Sequence, residues 1–137
     1  MAAQVFWDDL KEGDEITPLV KKCTPQQLVM WAAASGDFYQ IHYDQDFARS
    51  TGLPGVILHG LLKAAWLAQL VTDWGGPAAR LTAFEVSYRG IDLPGRPYRC
   101  AGLVKSRAEG VAELEIWGED PDGNRTTTGT ATVEMPP

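Results

Sequence analysis

Apolar positions fall at helical spacing through most of the first half of the chain and at a period of two through the second. Residues 14–23, Asp14 to Cys23, are expected to form a first strand. Thr24-Pro25-Gln26-Gln27 then reads as a helix start. Thr24 caps, Pro25 suits the first helical position, and Gln27 completes a capping box. Leu28, Trp31 and Ala32 recur at helical spacing, and Gly36 is a natural stop. Asp44 is placed to cap a short second helix through Phe47 and Ala48, closed by Gly52, and Leu53-Pro54-Gly55 is a turn.

Residues 60–76 carry the longest apolar pattern, from Leu61 and Leu62 to Val71 and Trp74. The polar members Lys63, Gln69, Thr72 and Asp73 do not gather on one face. A helix apolar nearly all round is expected to be buried. Beyond it Phe84, Val86 and Tyr88 alternate with Glu85, Ser87 and Arg89, and a further strand covers roughly residues 98–107. Ala112, Leu114 and Ile116 alternate with Glu113 and Glu115. Asp120 to Gly123 forms a turn, and Thr126 to Met135 a last strand. Helices first and strands after predict an α+β domain. A curved antiparallel sheet of about five strands should wrap round one long buried helix. Such a sheet keeps two edges and an open face, through which the domain is expected to find a partner.

The length, 137 residues, fits one domain over 1–137 with a real core. Hydrophobic residues make up 45% and charged residues 22%, which excludes a disordered chain. Twelve basic and eighteen acidic residues give a net charge of −6, so no broad attraction to nucleic acid or anionic lipid is expected. No apolar run spans a bilayer, and the first residues show no secretory pattern. Cys23 and Cys100 lie far apart with no paired spacing and read as reduced thiols of a cytoplasmic protein. Trp7, Trp31, Trp66, Trp74 and Trp117 are expected in the core and at interfaces, and Arg89, Arg96 and Arg99 on a solvated face.

The two histidines, His42 and His59, both fall in one glycine-punctuated stretch with Asp37. Asp37 and His42 follow the helix-stopping Gly36, and on a turning loop their side chains can converge. An Asp and a His sharing one water do acid–base work. Read from residue types alone, Asp37 as a turn cap and His42 as a loop histidine is the commoner outcome. Gly60 opens the long helix, where unpaired amides suit a developing oxyanion and a glycine admits close approach of a carbonyl. Asp37, His42 and His59 lack any recognised metal-ligand spacing, so no metal is expected.

Together these residues resemble the MaoC-like (R)-specific enoyl-CoA hydratase family. Its signature runs Tyr/Phe-Ala-x-x-Ser/Thr-Gly/Glu-Asp-x-Asn-Pro-Ile/Leu-His-x-Asp, then a spacer, then Gly-x-Ile/Val-x-His-Gly-Met/Leu. The chain has Trp31-Ala32-Ala33-Ala34-Ser35-Gly36-Asp37-Phe38-Tyr39-Gln40-Ile41-His42-Tyr43-Asp44, then Gly55-Val56-Ile57-Leu58-His59-Gly60-Leu61. Ile91-Asp92-Leu93-Pro94-Gly95 resembles a further family turn, Pro-Val-x-Pro-Gly-Asp.

The resemblance implies a hotdog fold and a hydro-lyase that adds water reversibly to a trans-2-enoyl thioester, giving the (3R)-hydroxyacyl thioester. It implies Asp37 and His42 as the catalytic dyad and Gly60 as the donor to the thioester carbonyl. His59 would belong to the substrate-tunnel wall. No cofactor is implied beyond the CoA or acyl carrier protein that bears the substrate, and a homodimer is expected, with a heterodimer as the alternative. The chain departs from the family at Tyr39-Gln40, which stand where Asn-Pro is usual. Either Gln40 or the Tyr39 hydroxyl takes over the ordering role of that asparagine, or the site is remodelled. A hotdog acyl-CoA thioesterase is disfavoured, because residues 60–72 carry no carboxylate. A subunit that only completes another chain's tunnel is disfavoured by the presence of both dyad members.

Overall fold

A computed structural model describes residues 3–137. After a short 3-10 turn at Trp7–Asp9 come β1 (Glu15–Lys22), α1 (Pro25–Ser35), a second 3-10 turn at Gln40–His42 and α2 (Gln45–Ser50). The long helix α3 (Gly60–Gly75) follows, and then β2 (Arg80–Tyr88), β3 (Pro97–Ala108), β4 (Val111–Glu119) and β5 (Arg125–Glu134). The expected caps are made. Thr24 Oγ1 accepts from Gln27 N–H at 3.2 Å, and Asp44 Oδ1 from Phe47 N–H at 3.0 Å. The capping box is half made, because Gln27 contributes its backbone N–H alone among the described residues. Gly36 ends α1 at φ 77°, a left-handed conformation that glycine adopts without a steric penalty.

The five strands form one sheet in the order β1-β3-β4-β5-β2, antiparallel at every step. β4 shows why the sheet holds α3. Its Ala112, Leu114 and Ile116 are wholly buried, and the residues between them face outward. The inward row meets Leu62, Trp66, Leu67, Leu70 and Val71 in one core. α3 touches all five strands, which is the hotdog arrangement.

One expectation is corrected. α3 is not buried all round, because the sheet curls over one side only. Leu61 is 60% exposed, and Ala65, Thr72 and Asp73 also face outward, while Lys63 is buried. The tryptophans fall largely as expected, with Trp66 fully buried and Trp7, Trp31 and Trp74 half-buried against the core. Trp117 lies on the outer face of β4, beneath the Arg125 guanidinium at 3.8 Å, and Trp7 is covered by Arg107 at 4.1 Å. An apolar ring under a guanidinium needs no core position. Arg96 and Arg99 are on a solvated face, paired with Asp122 and Glu119.

Candidate active site

α1, the 3-10 turn and the segment before α3 bring Asp37 and His42 together. Ser35 links the end of α1 to the loop: its Oγ donates to Trp31 O at 2.7 Å and accepts from Asp37 N–H at 3.2 Å. His42 is carried by the turn and locked from behind, with Nδ1 2.8 Å from Ile57 O. Ile57 N–H in turn donates to Ile41 O at 3.1 Å. A carbonyl can only accept, so Nδ1 bears the ring proton and Nε2 of the neutral ring is a bare lone pair. That lone pair faces Asp37 Oδ2 at 3.8 Å. The gap is too long for a direct hydrogen bond and suits one bridging water. The His42 side chain is 8% exposed and that of Asp37 42%, so the gap opens to solvent on the Asp37 side.

His59 stands behind this pair. Its ring stacks on that of His42 with centroids 3.8 Å apart and planes 19° from parallel, and its Nε2 lies 3.2 Å from Asp37 O. It therefore fixes both dyad members, one through its ring face and one through the backbone. It has no exposed surface, so it is not the tunnel wall that the resemblance implied. Asp37, His42 and His59 bring possible ligand atoms within 4.8 Å of one another. Each histidine has one ring nitrogen held by a backbone carbonyl, His42 Nδ1 by Ile57 O and His59 Nε2 by Asp37 O.

Burial, and then the neighbouring His42, lower the pKa of His59 below the ordinary histidine value. A lowered histidine pKa stabilises the fold in full above the unfolded value of about 6.5. That stabilisation is lost as pH falls through the folded value, because the unfolded chain then binds the proton that folded His59 refuses. His59→Gln should therefore flatten the acid side of a plot of Tm against pH between about 7 and 5. An unchanged slope would show that His59 carries none of the acid sensitivity.

Neither residue in the Asn-Pro positions bonds to the dyad through its side chain among the described residues. Tyr39 meets the His42 ring edge-on at 6.4 Å, and its backbone N–H reaches Asp37 Oδ1 at 3.4 Å. Gln40 contributes its carbonyl, which accepts from Tyr43 and Asp44 N–H. Of the expected alternatives, replacement by the Gln40 side chain or the Tyr39 hydroxyl is not seen, and the loop is ordered instead through backbone groups of residues 39 and 40. The Asp44 cap and the Ile41–Ile57 bond stiffen the same segment.

Gly60 is the first residue of α3, and His59 before it supplies no side-chain cap. The opening amides of a helix have no intrahelical acceptor, so this end presents N–H groups and the positive end of the helix dipole. The turn is braced from a place that sequence reading missed. Leu58 N–H donates to Asp92 O at 2.9 Å. Lys63, one turn into α3, donates to Asp92 Oδ2 at 2.9 Å and to Gly90 O at 3.1 Å. Thr126 Oγ1 completes the cluster on Asp92 Oδ2 at 2.6 Å. Lys63 is 2% exposed and Asp92 6%. One signal was available: a lysine inside a helix expected to be buried must have an anionic partner.

A family model described as MaoC like domain matches residues 11–116. The fatty acid synthase beta subunit TOXC of Cochliobolus carbonum is 32% identical over 114 residues, which is 81% of this chain but 6% of that protein. The chain thus spans a small part of that large subunit's length. The 3-oxo-4,17-pregnadiene-20-carboxyl-CoA hydratase beta subunit of Mycobacterium tuberculosis is 27% identical over 114 residues, 81% of this chain and 84% of that one. Among solved structures, an (R)-hydratase from A. caviae involved in PHA biosynthesis superposes with a TM-score of 0.87 at 25% identity, covering 93% of this chain and 98% of that one.

Proposed function

The chain belongs to the MaoC-like domain family, and from that premise we propose that it is an (R)-specific enoyl-thioester hydratase, acting reversibly as a (3R)-hydroxyacyl-thioester dehydratase. The observation that carries this reading is the 3.8 Å gap between Asp37 Oδ2 and the bare Nε2 of His42. With Asp37 ionised and His42 neutral, both groups are acceptors. A water between them is held by its two hydrogens, and its oxygen lone pairs stay free to attack.

In the hydration direction the thioester carbonyl accepts from Gly60 N–H. The water oxygen bonds to C3 as one of its hydrogens passes to the dyad. Electrons of the double bond move toward the carbonyl oxygen, where the amide and helix dipole stabilise them. The loss of such a donor typically costs about 3–4 kcal/mol. The dyad returns a proton to C2, and the net change is one water added across C2 and C3. No electrons leave the substrate, so the step needs no redox cofactor, and CoA or acyl carrier protein serves as carrier.

The mycobacterial relative is named a hydratase beta subunit, which favours a partnered enzyme. The free edges of β1 and β2 and the uncovered Leu61 support a homodimer, and a second, different chain in the native particle would make it a heterodimer. A thioesterase fits less well. The carboxylate of α3, Asp73, lies roughly 20 Å along the helix from Gly60 at about 1.5 Å per residue. We place the activity in the cytoplasm, where both free cysteines would stay reduced. Purified protein given crotonyl-CoA should remove the conjugated enoyl absorbance and form (3R)-hydroxybutyryl-CoA. Release of free thiol with the double bond intact would replace this reading by the thioesterase.

A further inference from the structure

We infer that the Tyr88 ring is a specificity-determining wall of the acyl slot at Gly60, and that it restricts the enzyme to enoyl thioesters unsubstituted at C2. The inference rests on the hydratase reading, in which the Gly60 amide holds the thioester carbonyl. It starts from a close contact. A β-carbon built on Gly60 would lie 3.0, 3.1 and 3.3 Å from Tyr88 Cζ, Cε1 and Cε2. The phenol thus fills the side of residue 60 that any other amino acid would occupy, directly beside the amide.

The ring is also held there. Tyr88 ends β2, opposite Thr127 of β5. The next two residues are pinned, with Arg89 and Gly90 N–H both donating to Thr126 O at 2.8 and 3.0 Å. From the other side, Lys63 Nζ of α3 donates to Gly90 O at 3.1 Å and lies 5.9 Å from the Tyr88 ring centroid. The end of β2 and the first turn of α3 therefore form one unit, which fixes the backbone that carries the ring beside Gly60. Tyr88 is 48% exposed, which leaves part of its surface free to meet an acyl group beside Gly60.

A carbonyl bound at that amide brings C1 and C2 of the acyl group next to the ring. An unbranched enoyl group is flat and narrow and passes along the phenol. A methyl on C2 widens it at the point where the ring already touches the glycine. One methyl group decides about 10–200-fold in a well-shaped apolar site.

The test compares kcat/KM for 2-methylcrotonyl-CoA with that for crotonyl-CoA in wild type, Tyr88→Ala and Tyr88→Phe. The ratio should rise about tenfold or more in Tyr88→Ala and follow wild type in Tyr88→Phe, which keeps the ring. Tyr88→Val provides the same readout if the alanine variant melts early. An unchanged ratio in the smaller variants overturns the wall while leaving the hydratase reading intact, provided that wild type hydrates crotonyl-CoA. A Tyr88→Phe ratio that moves with Tyr88→Ala overturns it in favour of the hydroxyl. Wild type that hydrates neither substrate overturns both readings together.

Discussion

Asp37→Asn and His42→Ala should each lower kcat for crotonyl-CoA hydration by about 10²–10⁴-fold, the range that positioned acid–base groups supply. The two substitutions act on the same water from opposite sides. An amide at residue 37 keeps the shape of the carboxylate but cannot take a proton. It also introduces an N–H donor facing the bare Nε2 of His42 across the 3.8 Å gap, and can close that gap without water. His42→Ala removes the second acceptor, leaves Ile57 O without its donor and takes away the ring on which His59 stacks. The alanine variant should therefore also melt earlier, whereas the asparagine variant should not, because Asp37 is 42% exposed, its backbone bonds are untouched, and an asparagine Oδ1 still accepts from Tyr39 N–H. Because the residues serve one water, the double variant should lose scarcely more than either single one. Near wild-type rates in both folded variants would remove the dyad from the chemistry, and a product of the two losses in the double variant would mean that they act in separate steps.

The sequence exposed those parts of the fold that local rules govern. Thr24 and Asp44 mark helix starts because capping depends on a side chain and an amide three residues away, and Gly36 marks a helix end because glycine adopts the left-handed conformation freely. Ala112, Leu114 and Ile116 mark an inward strand face because a period of two survives any choice of neighbour. The meeting of Asp37 and His42 was legible for a similar reason, since both belong to one short loop after a helix stop. What stayed hidden joins distant segments. β1 pairs with β3 about eighty residues on, and the local sequence does not specify that register. His59 reads as the residue before a glycine, and only the fold lays its ring on His42. The uncovered side of α3 was missed because Leu61 and Ala65 are as apolar as their buried neighbours. Hydrophobicity alone cannot tell a face covered by its own sheet from one left open.

Asp92→Ala should cost about 3–5 kcal/mol of unfolding free energy, the largest stability loss expected of any single polar substitution in this domain. The carboxylate satisfies two donors from two elements, Lys63 Nζ at 2.9 Å and Thr126 Oγ1 at 2.6 Å. Its removal leaves an ammonium that is 2% exposed with Gly90 O as its remaining acceptor. A buried charge without its counter-ion costs far more than the intact pair contributes, because both ions have already lost their water. Lys63→Met should be comparably harmful for the converse reason, since it strands the carboxylate with one hydroxyl. The combined change Lys63→Met, Asp92→Val and Thr126→Val removes every member at once and fills the space with apolar atoms, so it should recover most of the loss. Urea unfolding of the two single variants and the triple variant measures this directly. Single losses below about 1 kcal/mol would mean that water reaches the cluster and the pair is effectively a surface one. Activity should separate from stability in the recovered variant. Leu58 N–H still finds Asp92 O through the backbone, but the clamp from Lys63 to Gly90 O is gone. The end of β2 then keeps its bonds to the residue 126 carbonyl but loses its link to α3, so the triple variant should regain its melting temperature and still show a raised KM for crotonyl-CoA.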